Sequence, residues 1–251
     1  AGASRICLVV GHKADLVQSA TSNHADVEFA LQSEQKGTGH AVMMCESLLG
    51  RHDGAVLVLA GDTPLLRSDS LSELLSEQSR QQAACEQKDC TPEEAAIREI
   101  NTGCFAFDCR LLFDALKRIE PNNKQGEYYL TDAPGVMLRD GDRVLALPRF
   151  DINEALGVNT RAQLADVEIV LQKRIQSRWM TEGVSIVSPT QTHIDSRATI
   201  GVETVILPFV TIMGEARIGA GCRIGPHVVI EGPIEIPDGA VIPPFSRQSP
   251  S

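Results

Sequence analysis

From Ile194 to Ile242 an isoleucine stands at every sixth position: Ile194, Ile200, Ile206, Ile212, Ile218, Ile224, Ile230, Ile236 and Ile242. Two places before each of the last eight stand Ala198, Thr204, Val210, Ala216, Cys222, Val228, Ile234 and Ala240, mostly small or β-branched. Glycine follows the isoleucine at positions 201, 219 and 225. A period of six suits neither a helix, nor a heptad coiled coil, nor the two-residue alternation of a hairpin meander. It suits a triangular coil in which each hexad forms one flat face and the isoleucine points inward onto its counterpart in the next coil. Three hexads complete a turn, so about three coils are expected, near the minimum at which stacked repeats hold. Pro243-Pro244 and the polar run from Ser246 to Ser251 are expected to end the stack.

Upstream the pattern changes to strands alternating with helices. Arg5–Val10 and Val27–Gln32 read as strands, and Ala55–Ala60 (AVLVLA) as a strand buried on both faces. Thr38–Leu49 carries apolar residues at helical spacing after Gly37. Ser70 with Glu73 has the form of a capping box opening a helix. Gly103–Phe107 reads as a strand, Arg110–Ile119 as a helix, Thr131–Asp140 as a helix stopped by Gly141, and Arg143–Leu147 as a strand. This order predicts a layered, Rossmann-like α/β domain with a largely parallel sheet. Thr160 then caps a long helix to about Thr181, stopped at Gly183 and expected to pack on the first domain through Leu164, Val167, Leu171 and Ile175. The expected organisation is an α/β domain over 1–159, a linker helix over 160–183 and a short left-handed parallel β-helix over 184–251.

At 251 residues the chain suits two domains. Its formal net charge of -10 and the absence of any concentrated basic patch argue against nucleic acid or an anionic membrane as partner. No apolar run is long enough to span a bilayer and the amino end lacks a signal pattern, so the reading is a soluble cytoplasmic protein with no membrane partner. Seven scattered cysteines without a CxxC pair are expected to be free thiols. Ala1-Gly2-Ala3 runs at once into a strand, as though the chain begins within a domain.

Several polar clusters sit at element boundaries. Gly61-Asp62-Thr63-Pro64 follows the apolar strand, where open α/β sheets bind ligands and where Asp62 is placed to hold a hard divalent cation. A helix cap serves that residue pattern equally well. Gln32 to Ala41 (QSEQKGTGHA) lies between a strand and a helix, and Gly37 and Gly39 let backbone approach a ligand closely. Asn101-Thr102-Gly103, Gly126 to Asp132 and Gly157-Val158-Asn159-Thr160 are each explicable as turns and caps.

Taken in order, LQSEQKGTGHA, GDTPLL, EINTG, NNKQGEYYLTD and EALGVNTR resemble the bacterial N-acetylglucosamine-1-phosphate uridyltransferases, whose second half is a hexapeptide-repeat acetyltransferase. The resemblance runs from about Ile6 into the β-helix, through the junction around Trp179 and Gly183. It implies uridylyl transfer from UTP to N-acetylglucosamine 1-phosphate, for cell-wall precursor synthesis, in a homotrimer. It implies that Asp62 and Asn159 hold Mg²⁺. Gln32, Gly37 and Thr38 contact the uracil and ribose end, Gly61 lies at the substrate, Glu86, Asn101 and Thr131 hold the amino sugar, and Tyr129 lines its pocket. Tyr128 is expected to pack.

The sequence departs from that family in three places. The family's amino-terminal strand, Gly-rich phosphate loop and lysine have no counterpart here. The helix before Ala84 runs straight into Cys85-Glu86-Gln87-Lys88-Asp89, where relatives carry further strands and a GYGR segment. Ala60 replaces a larger polar residue. A chain of these residues alone is expected neither to fold well nor to turn over. The coils are too few for acetyl transfer, and His193 and His227 are expected at the surface or stack edge. A nucleotidyltransferase for another sugar phosphate, and an inactive trimerising remnant, remain as alternatives.

Overall fold

A computed structural model describes residues 2–24, 26–76, 101–145, 147 and 150–250. The chain forms two compact units, Ala1–Gly157 and Val158–Ser251.

In the first unit, β1 (Ile6–Val10) pairs in parallel with β2 (Val27–Leu31), joined through α1 (Ala14–Ala20). The backbone N–H of Gln32 donates to the Val10 carbonyl at 2.8 Å and carries the ladder one residue further. The expected helix over Thr38–Leu49 divides into α2 (Thr38–Met43) and α3 (Glu46–Leu49). β3 (Ala55–Val58) ends two residues before the expected limit, and its residues are exposed or half-buried rather than enclosed on both faces. After α4 (Ser68–Ser76) comes β4 (Phe105–Asp108), which runs antiparallel to β3, pairing Val58 with Phe105 and Ala55 with Asp108. The expectation of a largely parallel sheet fails at this pair. Strand–helix alternation implies parallel order only when the connection is one short crossover, and the stretch from β3 to β4 is long enough to enter from either end.

The core lies under the helices. α5 (Cys109–Leu116) buries Cys109, Leu112, Phe113 and Leu116, one stripe at helical spacing. Asp108 caps it by accepting from the Arg110 and Leu111 N–H groups. α6 (Asp132–Asp140) adds Ala133, Val136 and Met137 and ends on Gly141 at φ 87°, the left-handed stop its sequence announces. The described residues of the 143–147 stretch form no strand, and Val144 packs against this core instead. A 3₁₀ turn at Ile152–Ala155 closes the unit.

The second unit opens with α7 (Arg161–Thr181). Its Thr160 cap and Gln163 form a reciprocal capping box. Eleven short strands follow: β5 (Ser185–Ile186), β6 (His193–Ile194), β7 (Thr199–Ile200), β8 (Val205–Ile206), β9 (Thr211–Met213), β10 (Ala216–Ile218), β11 (Arg223–Ile224), β12 (Val229–Glu231), β13 (Ile234–Ile236), β14 (Val241–Ile242) and β15 (Arg247–Gln248). They stack as three parallel sheets, in the orders β14-β11-β8-β5, β15-β12-β9-β6 and β13-β10-β7, which are the faces of a short left-handed β-helix. Ile194 pairs with Ile212 and Ile212 with Ile230, one turn of eighteen residues each. The first turn, Ile186 to Ile206, is two residues longer and holds the 3₁₀ turn Pro189–Gln191. Ile194, Ile206, Ile212, Ile224 and Ile230 are fully buried. Thr204, also fully enclosed, donates to the Gly219 carbonyl at 2.8 Å and accepts the Cys222 N–H at 3.0 Å.

One expectation changes here. The polar tail does not end the stack at Pro243: Arg247 and Gln248 form a further rung on Val229 and Ile230. Pro243 and Pro244 precede it at a corner, where no ladder N–H is required. The long helix seats on the coil. Gln172 accepts the N–H of Ile194 and donates to its carbonyl, both at 2.9 Å, and Gln176 donates to Thr192 at 2.6 Å. β6 is the edge strand of its sheet, and the Gln172 amide satisfies the outward backbone groups of Ile194 there. Trp179 and Val184 join the isoleucine core, while Leu164, expected to pack, is exposed.

Candidate functional site

In the first unit the polar clusters gather where strands end. β1 and β2, being parallel, deliver Gly11 and Gln32 to the same end of their pair. The β3–β4 pair achieves this by its antiparallel register: the exit of β3 toward Ala60-Gly61-Asp62 lies beside the entry of β4 from Asn101-Thr102-Gly103. A Cβ on Gly103 would stand 3.6 Å from that of Ala60. The strand direction that departed from expectation thus brings the Asp62 and Asn101 segments together.

The loop Gln32–His40 docks on Glu127–Leu130. The Tyr128 N–H donates to Lys36 at 2.8 Å, the Gly39 N–H donates to Tyr128 at 2.7 Å, and the Leu130 N–H donates to the Thr38 hydroxyl at 3.1 Å. Gly37 sits at φ 99°, and a Cβ there would come within 2.6 Å of the Tyr128 carbonyl. No other residue type fits this approach. Inside the loop the Gln32 amide nitrogen lies 3.1 Å from the Gly37 carbonyl and 3.0 Å from His40 Nδ1.

Gln32, Thr38, Gly61, Asp62, Asn101, Tyr129 and Thr131 all line one open depression, shared with apolar side chains of β1, β3 and β4. Its volume of about 2720 Å³ exceeds that of a fitted ligand pocket, roughly 300–1,000 Å³. Asp62 and Gly61 are exposed on its wall. Asn101 accepts the Gly103 N–H at 3.0 Å, a local turn bond that occupies its side-chain oxygen. Tyr129 is buried and its hydroxyl donates to Gln125 at 2.7 Å. Thr131 precedes α6 with no side-chain capping bond. Tyr128 packs beside the helical core. Glu86 lies outside the described residues. Asn159 belongs to the second unit, where its N–H donates to Gln163 at 2.8 Å.

Two residues of this unit were given no role from sequence. Glu154, in the EALGVNTR segment, is only 1% exposed, and its carboxylate accepts the Arg67 N–H and the Ser70 hydroxyl, each at 2.9 Å. This corrects the capping box expected at Ser70 and Glu73. α4 begins at Ser68, and the Ser70 hydroxyl turns to a buried carboxylate, a stronger acceptor than a helix-end amide is a donor. His40 is the other. A carboxylate in a segment that reads as loop, and a histidine on the first turn of a helix beside a glycine, are the signals that were present.

Electrostatics around the loop are of surface type. Glu34 and Lys36 pair, which lowers the Glu34 pKa and raises that of Lys36. Cys7 and Cys45 lie 3.4 Å apart as free thiols, and burial first, then the contact between the two thiols, pushes Cys45 up to about 12. The other described cysteines, Cys104, Cys109 and Cys222, are free as well. Among the described residues no group of three or more His, Cys, Asp or Glu side chains forms a metal cluster, and no helix is long and apolar enough to cross a membrane. In the second unit His193 and His227 are exposed, His227 stacked between Phe209 and Phe245 at 4.6 and 4.7 Å.

Residues 197–232 match the family described as bacterial transferase hexapeptide (six repeats). The chain is 39% identical over 258 residues to the bifunctional protein GlmU of Halalkalibacterium halodurans, covering 92% of this chain and 56% of that protein. It is 41% identical over 271 residues to GlmU of an Exiguobacterium species, covering 96% and 59%, and 40% identical over 260 residues to GlmU of Geobacter metallireducens, covering 92% and 55%. It therefore spans a little over half the length of these curated relatives. By its sequence over nine-tenths of its length and by its hexapeptide coil, the chain belongs to the family of the bifunctional protein GlmU.

Proposed function

We propose that the first unit serves uridylyl transfer from UTP to N-acetylglucosamine 1-phosphate, in cell-wall precursor synthesis in the cytoplasm. A phosphate oxygen of the sugar phosphate bonds to the α-phosphorus of UTP as the bond to the β-phosphate oxygen breaks, giving UDP-N-acetylglucosamine and pyrophosphate. The observation that carries this reading is the docking of Gln32–His40 on Glu127–Leu130. It sets the residues assigned to the base, Gln32, Gly37 and Thr38, against the segment of those assigned to the amino sugar, Tyr129 and Thr131. Asn101 and Asp62 share the same depression, and Glu86 would complete the sugar contacts.

Mg²⁺ is assigned to Asp62 in the first unit. The fit is one of donor chemistry: Asp62 offers an exposed carboxylate that no described residue bonds, and Mg²⁺ keeps most of its shell for water and phosphate oxygen. When bound, the ion neutralises phosphate charge, which is most of what such a transfer requires. The side chains of this unit do the rest by holding base and sugar in place.

The coil is assigned to assembly as a homotrimer. Its continuous isoleucine core supports a rigid rod, and Phe209 and Phe245 stand exposed along one corner of it.

The test is pyrophosphate release by the full protein given UTP, N-acetylglucosamine 1-phosphate and Mg²⁺, with other nucleotides and sugar phosphates as a panel. Release only with the named pair supports the reading. No release, with trimers seen by light scattering, supports the inactive assembly module instead.

A further inference from the structure

A glutamine side chain can show a ligand either a hydrogen-bond acceptor or a pair of donors, depending on how its amide is turned. In Gln32 that choice is made by the protein. The Gly37 carbonyl, 3.1 Å away, can only accept, so the amide nitrogen faces it. The second N–H points at His40 Nδ1, 3.0 Å away, which accepts when the ring proton sits on Nε2. Both donors are spent inward. Oε1 is left without a donor among the described residues, on a side chain that lines the depression. Turning the amide over would set its oxygen against the Gly37 carbonyl oxygen and leave both inner acceptors unsatisfied.

His40 is held for this task. It lies on the first turn of α2, half-buried, with the Tyr128 ring centroid 6.3 Å from its own. The loop around it is tied down at Lys36, Thr38 and Gly39.

We propose that His40 is a specificity-positioning residue: with Gly37 it locks Gln32 so that the site presents an acceptor to the base edge, favouring a pyrimidine with an N–H at position 3 over one with a lone pair there. The pyrimidine favoured is uracil and the one disfavoured is cytosine, which has the same size and shape but accepts at that atom. This rests on the reading of the Gln32–Thr38 loop as the base end of the site. The assignment to His40 is separate from it, because a glutamine without a fixed amide would serve either pyrimidine.

The experiment is equilibrium binding of UTP and of CTP to the protein and to His40→Ala and His40→Asn variants, with pyrophosphate release from each nucleotide measured in parallel. Loss of one neutral hydrogen bond corresponds to roughly a two- to tenfold change in affinity. The wild type is expected to prefer UTP by about tenfold or more. His40→Ala is expected to bring the two nucleotides within about threefold, by weakening UTP and strengthening CTP. His40→Asn, whose amide oxygen can take the place of Nδ1, is expected to restore the preference. A variant that merely loosened the loop would weaken both nucleotides together and would not be rescued by asparagine. The proposal is overturned if His40→Ala keeps the preference, or if the wild type binds both nucleotides alike or neither. If the wild type prefers UTP through His40 but releases no pyrophosphate, the transferase reading fails and this one stands. If it releases pyrophosphate from UTP and the His40→Ala preference is unchanged, the reverse holds.

Discussion

Glu154 and Arg67 are 87 positions apart in the chain and share a hydrogen bond of 2.9 Å between a buried carboxylate and a backbone N–H. The other carboxylate oxygen takes the Ser70 hydroxyl. A carboxylate this enclosed is stable only if its lone pairs are occupied. Here the partners belong to the segment that leads from Asp62 into α4, and the negative charge sits at that helix's amino end, where the helix dipole favours it. The bond therefore pins the far side of the Asp62 segment, while the Thr63 hydroxyl, donating to Ala60 at 3.0 Å, pins the near side.

Glu154→Ala is expected to leave the Arg67 N–H and the Ser70 hydroxyl buried without partners, at about 1–3 kcal/mol each. Hydrogen exchange is the measurement, since two units need not unfold together. The amide of Arg67 should lose its protection, and amides of the β-helix should keep theirs. Unchanged exchange at Arg67 would refute the pinning role.

The loop docking makes Gly37 hard to replace. Gly37→Ala puts a side chain at φ 99° and within 2.6 Å of the Tyr128 carbonyl, so the loop must lift. The expected result is loss of the Thr38–Leu130 bond, seen as faster exchange of the Leu130 amide, with at least a tenfold fall in affinity for UDP-N-acetylglucosamine (about 1.4 kcal/mol). Gly126, whose Cβ would meet nothing within 4 Å, is the control for a glycine with φ of 68° but no close neighbour.

In the coil, Ile212 is fully buried between Ile194 and Ile230. Ile212→Ala is expected to cost about 2–5 kcal/mol, because close-packed rungs above and below cannot collapse into the space. Ile242, only partly buried, should cost much less. Thermal melts of the two variants give the comparison, and equal losses would contradict the stacked core.

Asp195 gives the coil a pH dependence. Its carboxylate bonds the Arg197 guanidinium, the Arg197 N–H and the Gly214 N–H, all within 3.0 Å. Chiefly through the Arg197 bond, its pKa lies far below the usual carboxylate range. A folded-state pKa below the unfolded one means that the unfolded chain binds the extra proton first. The stabilisation is complete above the unfolded value, about 3.9, and is lost as the pH falls below it. Asp195→Asn should therefore be less stable than the parent by about 1–2 kcal/mol at neutral pH, a value already discounted for solvent screening. The difference should shrink on acidification below about pH 4. A gap that persists unchanged to pH 2 would show that the carboxylate charge is not its source.

What the sequence determined by itself was whatever is periodic or local. The six-residue isoleucine repeat leaves one stacked solution, because only a triangular coil turns every sixth side chain inward. The Thr160–Gln163 cap and the Gly141 stop are likewise complete within a few residues of chain. The ordered polar motifs carried the family. Tertiary structure decided what depends on partners distant in the chain. The β3–β4 direction brings Asn101 beside Asp62, and no local pattern records it. Gln172 and Gln176 read as ordinary polar positions of a surface helix until the backbone of Ile194 and Thr192 supplies their partners. Arg247 and Gln248 look like tail residues, yet they extend the sheet because pairing needs only backbone groups and an open rung. Glu154, through the Arg67 N–H and the Ser70 hydroxyl, and His40, through the Gln32 amide, act by hydrogen bonds to atoms that only the folded chain brings within about 3 Å.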